Sequence, residues 1–192
     1  MVTIRSYEPA DEVGWLRCRV LSFLDSAFFD AVEREKERYT QPAIELVADD
    51  GGEIVGLLDL EVELAPGVLA DRPGRGGMIW HLAVHPDHQR QGIASALLEE
   101  AERRARERGL ERLEAWTRDD ADVQRWYETH GFTLIDGYLH VYLERDDLRA
   151  LDGQVGELRL VKAFAHYTGD RPDEIRERYG RVHDDLLYEK QL

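Results

Sequence analysis

The sequence predicts an α/β sandwich, a mixed sheet with covering helices. Three observations predict it. Short runs of branched apolar residues alternate with segments of helical periodicity. One of those segments, beginning near Ile93, is strongly amphipathic and directly follows an apolar strand. The chain of 192 residues is 43% hydrophobic, enough to bury a core and short enough for one domain.

The elements follow in order. Thr3–Tyr7 reads as a first strand, and Glu8-Pro9-Ala10-Asp11 opens a helix. Val13, Leu16, Val20 and Leu24 recur at helical spacing in it, with Trp15 and Cys18 inside. A second helical piece is expected from Phe28 to Arg38, stopped by Pro42. Ile44–Ala48 and Glu53–Leu64 read as strands joined by the turn Asp49-Asp50-Gly51-Gly52. Residues 65–77 form a Gly/Pro-rich loop before a central strand, Met78–Val84. In the helix that follows, Ile93, Leu97, Leu98, Ala101 and Ala105 line one face. Glu99–Arg103, Glu100–Arg104 and Glu102–Arg106 are spaced to pair on the other, and Gly109 stops it. Leu110–Thr117 is a strand, and Asp119–His130 a helix closed by Gly131. Phe132–Ile135 and Tyr138–Leu143 are strand-like, separated by Asp136-Gly137.

Composition narrows the function. The formal charge of −15 disfavours nucleic-acid binding, which needs a basic face. The same charge serves solubility and would steer cationic substrates. No apolar run is long enough to span a bilayer, and Met1–Ser6 lacks a secretory pattern, so no membrane role is expected. Cys18 is the one cysteine, which excludes an internal disulfide framework and a cysteine zinc cluster. A cytoplasmic protein is the simplest reading.

Chemistry concentrates in residues 81–98. A strand ending His81-Leu82-Ala83-Val84-His85-Pro86 leads through a short loop to Gly92, Ala94 and Ser95 at a helix start. A helix start presents unpaired N–H groups and a positive dipole end, and small residues let a ligand approach the backbone. That is a seat for a pyrophosphate. The loop lacks both the Gly-Lys-Ser/Thr ending of nucleotide phosphate loops and Gly-x-Gly-x-x-Gly. Gln89-Arg90-Gln91-Gly92-Ile93-Ala94 fits Gln/Arg-x-x-Gly-x-Gly/Ala and resembles the acyl-CoA motif of the GNAT superfamily of N-acetyltransferases. The element order from residue 3 to about 143 resembles that family too.

The resemblance implies a GNAT-like, mostly antiparallel central sheet flanked by helices. It implies acetyl-CoA as acyl donor and attack by an amine acceptor, small molecule or protein. The backbone of Arg90, Gln91, Gly92, Ile93, Ala94 and Ser95 would anchor the pyrophosphate, and the side chains of Gln89 and Arg90 either add contacts or face solvent. Leu82, Ala83 and Val84 occupy the positions that pair with the pantetheine arm, and one of their N–H groups would polarise the thioester carbonyl. Trp126-Tyr127-Glu128-Thr129-His130-Gly131-Phe132 resembles the segment carrying the family's acid, so Tyr127 is the catalytic candidate, donating to the departing thiolate. Asp120 stands where the family often has Asn, and helix capping is its expected job.

The base does not transfer from the family. Met78 stands where some relatives carry Glu or His. His81, Glu61 and Glu63 are candidates by strand position alone, and strand alternation favours a packed His81. His85 and His88 have no evident third ligand, so no metal is expected. Cys18 lacks a paired His, which favours direct transfer. The alternative is a non-catalytic acyl-CoA-binding or sensing module. The whole chain, 1–192, reads as a single domain. It carries an insertion at about 145–180, with a strand at Glu157–His166 and a helix at Pro172–Tyr179, before a final strand at about 181–190. That segment either covers the acceptor site or makes a homodimer surface.

Overall fold

The computed structural model describes residues 1–144, 147–150 and 160–192. The strands are β1 (Thr3–Ser6), β2 (Ala43–Asp50), β3 (Glu53–Val62), β4 (Gly76–Val84), β5 (Arg112–Thr117), β6 (Thr133–Glu144), β7 (Lys162–Tyr167) and β8 (Val182–Gln191). They form one sheet in the order β1-β2-β3-β4-β5-β8-β6-β7. Among the described residues only the β4–β5 pairing is parallel. The helices are α1 (Glu12–Phe23), α2 (Ile93–Glu107), α3 (Ala121–Thr129) and α4 (Pro172–Arg178). None is long and apolar enough to cross a membrane. The part of the expected strand at 157–159 lies outside the described residues.

Hydrophobic periodicity explains α2. Ile93, Leu97, Leu98, Ala101 and Ala105 are all buried against β2 and β3. On its outer face Glu100 pairs with both Arg103 and Arg104; Glu102, expected on that face, is buried and pairs with Arg106 and with Lys190 of β8. Arg103 takes Glu107 as its second partner instead of Glu99. Gly56 of β3 lies directly beneath, where a Cβ would meet Ile93 Cγ2 at 2.9 Å. The opposite sheet face is covered by α1, with Trp15 and Cys18 packed on Val47, Leu57 and Ala83.

Two local expectations are corrected. Residues 28–38 are not helical but run in turns and extended pieces. A side chain of another element takes an N–H group the helix would have used: Glu12 accepts from Lys36 N. Phe29 and Val32 are left exposed. Tertiary partners here override helical propensity. Thr133–Ile135 and Tyr138–Leu143 belong to one strand, β6, which starts after Phe132, and Ile135 is the residue its register shift leaves unmatched.

Lys36 fixes the 24–42 segment on the sheet. Its buried ammonium lies 2.6 Å from Glu45 and 2.8 Å from Asp59, and about 5 Å from the rings of Tyr7, Trp15 and Tyr39. Burial pushes the Asp59 carboxyl up from the ordinary 3.8 to about 6, with Lys36 opposing. Folded Asp59 therefore holds its proton more tightly than the unfolded chain does. Its contribution is complete below 3.8 and is lost as the pH rises through 6. Lys36→Met removes the compensating charge. The expected loss is on the order of 3–5 kcal/mol at neutral pH and less near pH 5. Urea denaturation at the two pH values measures it, and equal losses would clear Asp59 of responsibility.

Candidate active site

β4 and β5 pair in parallel only from Gly76↔Arg112 to Ile79↔Ala115, and then diverge. Each keeps its outer partner to the end: β4 pairs with β3 as far as Val84↔Gly56, and β5 with β8 as far as Thr117↔Leu186. The edge of Leu82, Ala83 and Val84 that faces β5 is thus open to an extended ligand. A bulge helps to set the split. Asp59 pairs with His81 but Leu60 with Ile79, so Trp80 is an extra residue. Ile79 and His81 would share a face in an unbroken strand. Here Ile79 packs in the core under α2, and His81 stands edge-on to Trp15 of α1.

The α2 N-terminus lies just beyond the open edge. Gln89 Nε2 donates to the Val84 carbonyl at 3.2 Å. Arg90 (φ 62°) and Gly92 (φ 81°) both adopt the left-handed region, so successive N–H groups curl inward as a nest. The first helical hydrogen bond runs from Ala96 N to the Gly92 carbonyl, and the N–H groups ahead of it have no helical partner. Gly92 brings no capping side chain, and the first turn holds no acidic residue. The contrast with α3 is direct, because Asp120 caps that helix by accepting from Asp122 N and Val123 N. The Gln89 and Arg90 side chains are exposed. These residues fit a pyrophosphate: unpaired amides and a positive dipole end, with open space where a Cβ at Gly92 would stand.

His130 was not singled out in the sequence. Its Nδ1 lies 2.8 Å from the Trp126 carbonyl, and its Nε2 lies 2.8 Å from Ser95 Oγ. The ring also stacks on Trp126 at 4.0 Å. Nδ1 therefore carries the proton and Ser95 donates to Nε2, tying the start of α2 to the end of α3. The position of His130 in the helix-ending Tyr127–Phe132 segment was the available signal.

Tyr127 is buried in the same core, stacked on Tyr188 and edge-on to Phe132. Its hydroxyl makes no hydrogen bond among the described residues. Burial raises its pKa, so the phenol keeps its proton at neutral pH.

The strand-based base candidates are occupied. Glu61 accepts from Thr40 Oγ1, Gln41 N and Trp80 Nε1. Glu63 accepts from Leu69 N, Ala70 N, Gly76 N and Arg112. His81 lies between Arg19 Nε (3.5 Å) and Glu37 Oε2 (3.3 Å), and burial pushes it down to about 3. Cys18 is buried and its thiol is pushed up to about 11, which keeps it from acting as a nucleophile. His85 and His88 stand edge to face near the loop. A cluster absent from the sequence reading unites His140, His166 and Asp185, whose ligand atoms lie within 4.8 Å of one another.

Fold and site together define an acyltransferase with a seat for a CoA-derived donor. The acetyltransferase (GNAT) family model matches residues 6–132, and the chain belongs to that family. An acetyltransferase of Pectobacterium atrosepticum is 32% identical over 123 residues, covering 64% of this chain and 78% of that protein. One from Sodalis glossinidius is 30% identical over 126 residues, covering 65% and 80%. Among solved structures, the ribosomal-protein-S18-alanine N-acetyltransferase from Escherichia coli superposes with a TM-score of 0.62 at 18% identity, covering 100% of this chain and 94% of that one. The PaiA N-acetyltransferase from Thermoplasma acidophilum, solved in complex with coenzyme A, gives 0.60 at 12% identity, covering 100% and 99%.

Gly92→Val tests the seat. Valine at φ 81° is strained, although nothing lies within 4 Å of the new Cβ. We expect CoA affinity to fall at least about tenfold by calorimetry, a cost near 1.4 kcal/mol or more. Unchanged affinity would remove the 90–95 backbone from the donor site.

Proposed function

We propose that the protein transfers an acetyl group from acetyl-CoA directly to a primary amine. The observation that carries this is the run of amides at residues 90–95, without partners among the described residues and placed beside the open edge of β4, with Tyr127 in the adjoining core. When bound, the acyl-CoA supplies a thioester carbonyl and a thiolate leaving group. The amides of Arg90 to Ser95 hold the pyrophosphate. The exposed edge of Leu82, Ala83 and Val84 pairs with the pantetheine arm, and one of its N–H groups polarises the carbonyl. Tyr127 donates its proton toward the departing sulfur. The chain's lone cysteine, buried and unpaired, agrees with a cytoplasmic setting.

The engaged state of His81, Glu61 and Glu63 favours a second reading, a module that binds acyl-CoA without turning it over. Thiol release from acetyl-CoA across a panel of primary amines separates the two. Transfer to any amine supports the enzyme. Tight CoA binding with no transfer supports the sensor. Within the enzyme reading, Tyr127→Phe is expected to cut kcat on the order of 100-fold while CoA affinity stays within about twofold. A variant with wild-type kcat across the pH range would remove Tyr127 as the acid.

A further inference from the structure

The sheet face opposite α2 carries groups that donor binding leaves unused. Asp30 and Ala31 of the 24–42 segment, Arg118 after β5, His140 and Tyr142 of β6 and Phe164 of β7 line a cavity of about 420 Å³. This volume suits a small ligand or the end of a larger one. The cavity lies just past the C-terminal end of β5, and its 27–31 wall is tied to both α1 and Arg118. From β4, His81 contacts Arg19, whose Nη1 donates to the Ala31 carbonyl at 2.7 Å. From β5, Arg118 Nη1 donates to the Ala27 carbonyl at 2.6 Å.

His140 is only 6% exposed, and its Nε2 has no hydrogen-bond partner among the described residues. Its Nδ1 faces Asp185 Oδ2 at 3.4 Å. A carboxylate beside Nδ1 favours the proton there and leaves the Nε2 lone pair bare. The ring is held in orientation by stacking on Phe164 at 4.7 Å and by Tyr142 at 4.9 Å. A buried, unpartnered acceptor costs on the order of 1–3 kcal/mol, which a bound donor would offset.

We propose that the cavity admits the amine end of the acceptor and that His140 Nε2 takes a proton from its ammonium, with Asp185 as the positioning residue. This rests on the amine-transfer reading. The ammonium gives one proton to Nε2 and becomes a nucleophile, and His140 later releases that proton to water. As the nitrogen–carbon bond forms and the carbon–sulfur bond breaks, Tyr127 gives its proton to the sulfur and the second nitrogen proton passes through solvent back to the Tyr127 oxygen, so the balance closes on amide, free thiol and neutral Tyr127. The groups facing His140 are Asp185 and His183 from β8, Arg118 after β5, His166 and Lys162 from β7, Tyr142 from its own strand and Asp30 from the 24–42 segment. Burial and the Arg118 charge hold His140 below the ordinary 6.5, with Asp185 opposing, so it is neutral and able to accept a proton at pH 7.

The test has two arms. Long-range 1H–15N spectra of the full-length protein at pH 7 should show His140 protonated on Nδ1 and bare on Nε2, and Asp185→Asn should weaken that preference. A proton on Nε2 overturns the proposal. In the second arm, acetyl-CoA is assayed with the amines that the wild-type protein accepts. His140→Gln should lower kcat/KM on the order of 100-fold and abolish its decline at acidic pH, with CoA affinity unchanged. Wild-type kcat/KM in His140→Gln, or loss in Glu37→Gln alone, overturns the assignment. So does activity lost to a chelator and restored by Zn²⁺, which would make His140, His166 and Asp185 a metal centre. A wild-type protein that transfers to no amine instead sinks the amine-transfer reading, and the base falls with it.

Discussion

Everything functional here depends on a parallel strand pair that stops after four residue pairs. Separating β4 from β5 beyond Ile79 and Ala115 exposes backbone groups that a sheet would normally pair. The molecule confines that cost to the inner edges, because β3 and β8 continue to pair the outer ones. The closed end is fastened by buried charge. Arg112 donates to Glu63 and Glu114 and to the carbonyls of Pro73 and Gly74, while Glu63 also accepts from Gly76 N. Such a network loses much of its value if one partner is removed, so it acts as a hinge pin more than a source of net stability. With one end fixed and both flanks zipped, the strands can diverge only at their C-terminal ends, next to the start of α2.

The treatment of the helix ends points the same way. The chain carries 40 acidic residues, and acidic side chains stand in the first turns of α1, α3 and α4. Alone among the four, α2 begins with none and with no side-chain cap. In so acidic a protein, a carboxylate there would repel a phosphate and fill the amides meant for it. Asp120, one helix later, shows what an acidic residue does at such a position, closing two amides by itself. Seen this way, the family's Asn-to-Asp departure strengthens α3 and leaves the α2 seat untouched.

The proposed donor seat could be read from the sequence because it is local. The amides of 90–95, the strand edge of 82–84 and the buried face of α2 all follow from one continuous stretch, and periodicity with small residues specifies it. The acceptor half is not local. His140 and Asp185 lie on different strands, and nothing in either segment announces the other. The bulge at Trp80 was hidden for another reason: Met78 to Val84 is nearly continuous in apolar residues, and nothing in such a run marks an extra residue. The 28–38 segment misled because its polar residues answer to distant partners, Lys36 to Asp59 and Lys36 N to Glu12.

That division follows from what each half must do. A pyrophosphate is bound by backbone groups, which any sequence of suitable shape presents, so a short motif suffices. Proton removal from an amine demands a side chain with a tuned environment, and tuning comes from burial and from neighbours on other strands. In the proposed arrangement the two halves lie on opposite faces of the sheet, which keeps the basic group away from the donor's phosphates. Arg19 of α1, which also donates to His81 of β4, and Arg118 after β5 both donate to the same 27–31 stretch. A segment without helix or strand is thereby held at two points, which fixes the cavity wall it forms.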